Sequence, residues 1–156
     1  MIINPGVIQL QIPSESGYLE LIRTFVVQLA NRLGFDDDAA DQIELAVDEA
    51  CTNVVKYAYQ QDGVENSLDV TLEAGKKKLT VIIRDHGIGF NPSCIETPEM
   101  RTYLSEYRSG GLGIYLMKTL MDEVSYDIEP GVKTEVKMTK YIPSILDSAE
   151  ELSAAA

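Results

Sequence analysis

Histidine is close to absent from this chain, with His86 the single copy in 156 residues. That excludes a metal site built from several histidines. It also leaves a Ser-His-Asp triad without support, because nothing near His86 reads as an activated nucleophile. Cysteine is nearly as scarce. Cys51 and Cys94 form neither a CxxC pair nor a zinc pattern, and Cys51 stands in an apolar helical context that suits a small buried hydrophobe. Cations are few. Lys and Arg number 13 against 25 Asp and Glu, the formal net charge is -12, and the one basic run is Lys76-Lys77-Lys78. A phosphate backbone is held by clustered cations that displace counterions, so direct nucleic-acid binding is not expected. No apolar run reaches the roughly 18 residues of a membrane span. The N-terminus also lacks the basic start and apolar core of a signal peptide. A cytoplasmic protein without a membrane partner is the expectation.

What is present is ordinary globular material, 45% hydrophobic and 24% charged. A chain of this length favours one domain able to bury roughly 70% of its unfolded surface. Residues 1–142 are expected to form that domain, with a polar, alanine-rich tail over 143–156. Residues 7–12 alternate as a strand ended by Pro13, and Ser14-Glu15-Ser16 offers N-cap chemistry to a helix over 18–33 that stops at Gly34. Asp36-Asp37-Asp38 opens a second helix reaching to about Tyr59. Ser67–Ala74 and Lys78–Asp85 read as a hairpin, residues 112–122 as a helix, and residues 124–128 with Lys133–Tyr141 as a closing hairpin. The stretch between Asp85 and Gly113 is long for a compact domain, which marks it as a functional lid or a disordered segment. The order of elements implies an α+β two-layer sandwich with a largely hairpin-built sheet.

The second helix carries a polar seam. At about 100° per residue, Gln42, Glu49, Asn53, Lys56 and Gln60 fall within roughly 60° of one another beside an apolar arc. The Asn53 amide oxygen is a hard neutral ligand suited to Mg²⁺. Lys56 can offset phosphate charge, and Glu49 can orient and deprotonate a hydroxyl or water. A solvated helix face would look the same from this helix alone. Two glycine turns follow. Asp85-His86-Gly87-Ile88-Gly89 closes a strand, where the glycines let a flat ligand approach and Asp85 can accept from an exocyclic amine such as adenine N6. A tight turn whose Asp caps its own backbone is the plain alternative. Arg108-Ser109-Gly110-Gly111-Leu112-Gly113 runs into a helix start, whose N–H groups and dipole can receive phosphate. Neither turn is a Walker loop or a dinucleotide fingerprint.

Together, Glu49-Ala50-Cys51-Thr52-Asn53 through Tyr57, Asp85-x-Gly87-x-Gly89 and Gly111-x-Gly113 resemble the N, G1 and G2 boxes of the GHKL ATPase superfamily. Within it, Val47-Asp48-Glu49-Ala50-Cys51-Thr52-Asn53, Arg108-Ser109-Gly110 and Met121-Asp122-Glu123-Val124-Ser125 are similar to the small bacterial anti-sigma-factor serine kinases of the RsbW and SpoIIAB type. The resemblance implies the Bergerat, histidine-kinase-like ATPase fold: a mixed, mostly antiparallel sheet with helices on one face and a long ATP lid. It implies ATP and Mg²⁺ as ligands, with Asn53 on the metal and Glu49 as general base on an attacking serine. Asp85 would read adenine N6, and Gly87 and Gly89 would shape the base pocket. Lys56 and Arg108 would approach the phosphates, and Gly110, Gly111, Leu112 and Gly113 would wrap them. It further implies a homodimer that phosphorylates a serine on a STAS-type anti-anti-sigma protein and sequesters a sigma factor. Tyr57 stands where several family members carry histidine, and the lid over 90–107 matches poorly. Two other functions fit the same boxes: a nucleotide-dependent binding module without transfer, and the ATPase domain of a histidine-kinase system. The latter lacks any histidine before His86 to accept phosphate.

Overall fold

A computed structural model describes residues 3–55, 67–86, 112–129 and 132–143. Its elements are β1 (Gly6–Pro13), α1 (Ser16–Leu33), α2 (Asp37–Asn53), β2 (Ser67–Ala74), β3 (Lys78–Asp85), α3 (Leu112–Leu120), β4 (Glu123–Glu129) and β5 (Lys133–Tyr141). The five strands form one sheet in the order β1-β2-β3-β5-β4. All four pairings are antiparallel, so among the described strands the sheet carries no parallel element.

Alternation decides which face of the sheet is covered. Leu68, Val70, Leu72 and Ala74 of β2 stand across from Asp85, Ile83, Val81 and Leu79 of β3, and all eight are buried. Val136 and Met138 of β5 extend the same face, and Ile8, Leu10 and Ile12 of β1 are half-buried at its margin. The helices supply the other layer. Leu19, Ile22, Val26, Leu29, Ala30 and Leu33 recur at helical spacing along α1, and Ile43, Ala46, Val47, Ala50 and Cys51 do so along α2. Each fully buried Leu, Ile, Val or Met side chain is worth about 1.5–3 kcal/mol of transfer free energy, which makes this seam the main stabilising element. α2 packs against both α1 and α3, and its buried arc also meets β3.

The helix ends show how local chemistry sets the layout. Ser14 and Ser16 do not cap α1; Glu15 holds that position with no side-chain bond to the backbone. Gly34 ends α1 with φ of 98°, in the left-handed region open to glycine, and the Phe35 N–H reaches back to Ala30 O at 3.2 Å while its ring is buried. Asp36 caps α2, its Oδ1 accepting from the Ala39 N–H at 2.8 Å. α2 is α-helical as far as Asn53, and of its remaining expected length to Tyr59 only Val54 and Val55 are described. Val54 and Val55 continue in a wider π-type turn, and residues 56–66 lie outside the described residues. α3 ends at Leu120, two residues earlier than its periodicity implies. The cause is β5: Lys140 Nζ donates to Leu120 O at 2.7 Å, the Asp122 N–H donates to Thr139 O at 3.0 Å, and Asp122 Oδ2 accepts from the Tyr141 N–H at 2.6 Å. These bonds draw the chain into β4.

Candidate functional site

Glu49 and Asn53 sit one turn apart near the end of α2, both half-buried, beside the buried Ala46, Ala50 and Cys51 that fix the helix to the core. The apolar arc therefore dictates where the polar seam points: along the edge of the core rather than into open solvent. The widened turn at Val54 and Val55 follows Asn53 directly. A single π turn of this kind re-aims the side chains beside it and recurs at functional sites.

Gly113, in the first turn of α3, is buried against the same seam. A Cβ built on it would run into Glu49 Oε1, with Glu49 Cδ at 3.1 Å and Cγ at 3.3 Å. The distal half of the Glu49 side chain thus occupies the space that any other residue at 113 would fill. Two motifs far apart in the sequence meet here. It joins a carboxylate to a helix N-terminus, where unpaired N–H groups and the helix dipole favour an anion.

Asp85 ends β3 on the covered face of the sheet, between Leu68 on β2 and Thr134 on β5, and is only 5% exposed. A carboxylate at that depth is expensive unless it serves hydrogen bonding. His86, the next residue, turns to the open face, where its Nε2 lies 3.3 Å from Asp69 Oδ2. Arg84, on that open face, pairs with Glu135, Nε donating to Oε2 at 2.7 Å.

Glu49 and Gly113 are in contact, while Asn53 and Asp85 belong to α2 and β3, which pack together. Leu112 opens α3, and its side chain lies outside the described residues, as do Lys56, Gly87, Gly89, Arg108, Gly110, Gly111 and the lid over 90–107. Among the described residues no three His, Cys, Asp or Glu gather into a metal cage. Asp69 is the polar residue that sequence reasoning passed over. Its signal lay in the count around the Gly75-Lys76-Lys77 turn, which sets Asp69 opposite Arg84 and diagonal to His86.

Cys51 is buried beside this seam, and burial, helped by the Asp48 charge, pushes its thiol far above the usual range. It is a packing residue, not a nucleophile. No helix among the described residues is long and apolar enough to cross a membrane.

A two-layer α+β body with a carboxylate-amide helix seam closed by a second helix N-terminus defines a class, and residues 12–140 match the histidine kinase-like ATPase domain family. The chain is 36% identical over 142 residues to the serine-protein kinase RsbW of Bacillus velezensis, covering 86% of this chain and 85% of that one. It is 33% identical over 144 residues to the serine-protein kinase RsbW of Bacillus subtilis, covering 89% and 88%. The crystal structure of the RsbU and RsbW domains of a Mycobacterium tuberculosis protein shares the fold, with a TM-score of 0.62 at 15% identity. That match covers 89% of this chain and 34% of the other, so the chain spans about a third of its length. The chain belongs to the histidine kinase-like ATPase domain family, in its branch of RsbW serine-protein kinases.

Proposed function

We propose that this kinase takes Mg²⁺·ATP, passes the γ-phosphate to a serine hydroxyl on a STAS-type anti-anti-sigma protein, and in its other state sequesters a sigma factor. The observation that carries this reading is the placement of the Glu49 carboxylate against Gly113 at the N-terminus of α3. A base and a phosphate-receiving helix end are adjacent there, as transfer to a hydroxyl requires.

The roles follow from the chemistry of each group. Glu49 accepts the proton of the attacking serine while the new O–P bond forms and ADP leaves. Asn53 would hold Mg²⁺ through its amide oxygen, and the ion when bound supplies charge neutralisation on the phosphates. Asp85 accepts from adenine N6, and Gly87 and Gly89 leave room for the base. The α3 N–H groups, with Gly110, Gly111, Leu112 and Gly113, receive the phosphates. Lys56 and Arg108 balance their charge. The strongly acidic chain suits a partner with a basic surface, since opposite fields steer encounter. A homodimer in the cytoplasm is part of the same reading.

The test is a transfer assay with labelled ATP, magnesium and a STAS protein from the same cell. Wild-type chain is expected to label a serine. Glu49→Gln should lose about 100-fold or more in transfer yet keep nucleotide, and Asn53→Ala should lose magnesium-dependent nucleotide binding. Wild-type transfer by Glu49→Gln removes the assigned base. A stable but unlabelled complex with the wild-type chain makes the protein a nucleotide-dependent binding module instead.

A further inference from the structure

The open face of the sheet carries a row of polar side chains in register across all five strands: Gln11, Asp69, Arg84, Glu135 and Asp127. Its charges pair sideways. Arg84 Nε donates to Glu135 Oε2, and Lys133 Nζ donates to Asp127 Oδ2, each at 2.7 Å. Arg84 is thereby drawn toward β5, away from Asp69 directly opposite it on β2. Asp69 instead meets His86, on the diagonal two residues further along β3, with Nε2 and Oδ2 3.3 Å apart.

The location of this pair gives it a consequence beyond the sheet. His86 directly follows Asp85 and precedes Gly87 in the sequence. Adjacent residues of a strand point to opposite faces. Holding the imidazole to Asp69 on the open face therefore fixes the peptide that aims the Asp85 carboxylate at the covered face. The pair is wet, with side-chain exposures of 55% for His86 and 33% for Asp69, so it contributes little to global stability. Its effect is local, on the end of β3 and the residue after it.

Purine choice is sensitive to a shift of that carboxylate. Adenine presents the N6 amine as a donor where guanine presents the O6 acceptor, so a carboxylate held at that point repels guanine. Guanine still offers N1–H and N2–H donors one position further round the ring, within reach of a carboxylate allowed to shift. We propose that Asp69 and His86 are a positioning pair that holds Asp85 in register with adenine and so sets the preference for adenine over guanine nucleotides. This rests on the reading of Asp85 as the purine-facing carboxylate.

The test is competitive displacement of a fluorescent nucleotide from the full chain by ATP and by GTP, both with magnesium, alongside thermal unfolding. Asp69→Ala and His86→Ala should each lower the ratio of ATP to GTP affinity about threefold to fivefold, the range open to a half-exposed polar pair. Their unfolding midpoints should stay within about 2 °C of wild type. Asp69→Asn, whose amide oxygen can still accept from Nε2–H, should retain most of the preference, a rescue that a purely structural role would not show. An unchanged ratio in both Asp69→Ala and His86→Ala, with the ratio collapsing in Asp85→Asn, overturns the positioning role and leaves Asp85 as the base reader. Wild-type nucleotide affinity and ratio in Asp85→Asn, or a wild-type chain that binds neither nucleotide, brings down the reading of the site itself.

Discussion

Replacing Gly113 by alanine tests the tightest contact of the candidate site. The three atoms nearest the added methyl all belong to Glu49: its Oε1, its Cδ at 3.1 Å and its Cγ at 3.3 Å. All three are side-chain atoms of a flexible residue, so the glutamate is the group that gives way first. For stability, two terms of opposite sign nearly cancel. Alanine gains up to about 1 kcal/mol over glycine within a helix, while overfilling a packed spot costs about 1–3 kcal/mol, reduced here because a half-buried side chain can rotate outward. The net shift should stay within about 1–2 kcal/mol, a few degrees in unfolding temperature. Catalysis has no such compensation. A base displaced by about 1 Å can lose about 100-fold in rate. The expected result is therefore a folded Gly113→Ala protein with near-normal unfolding by scanning fluorimetry and transfer to the proposed STAS partner slowed about 100-fold. Pairing the change with Glu49→Gln should add little further loss, because both act on the same group. Wild-type transfer rates in Gly113→Ala would refute the reasoning, since they would mean that the position of the Glu49 carboxylate is immaterial.

Two further predictions concern buried side chains. Thr80 and Thr139 are buried on the open face of the sheet with their hydroxyls 3.1 Å apart. Thr80→Val strands the Thr139 hydroxyl and should cost about 1–3 kcal/mol in urea unfolding, whereas the double valine variant should recover part of that loss. Equal destabilisation by the single and double variants would show that the pair is not coupled. Cys51 keeps its proton in the folded chain far beyond the ordinary thiol range because of burial and the Asp48 charge. The unfolded chain releases that proton first, so the folded state loses ground as pH rises above the ordinary thiol value. The loss is about 1.4 kcal/mol per pH unit relative to a Cys51→Ala control. Below that range the two proteins should show the same pH dependence, and native Cys51 should resist thiol reagents. Rapid labelling of Cys51 in the folded protein would contradict its burial.

The polar seam of α2 was legible because a helix repeats by simple arithmetic: Glu49 and Asn53 share a face whatever surrounds them, and the apolar arc through Ile43, Val47 and Ala50 says which side is buried. Hairpin counting placed β2 against β3 and β4 against β5 for the same reason, since strand alternation and a short turn leave one register that buries Leu68, Val70 and Leu72. The change of turn after Asn53 was not legible. Residues 54–59 keep helical spacing, and the wider turn at Val54 and Val55 leaves no mark in that periodicity. Nor was the early stop of α3, which depends on Lys140 and Thr139 arriving from a strand later in the chain. The residue types of the site belong to the sequence alone. Their assembly belongs to the tertiary structure: Glu49 and Gly113 are separated by two strands and a long connection, and only close packing of α2 on α3 brings a carboxylate into the hollow left by a missing methyl. Local patterns follow from short-range sterics and alternation, whereas contact between distant segments is decided by how a whole core fills its space.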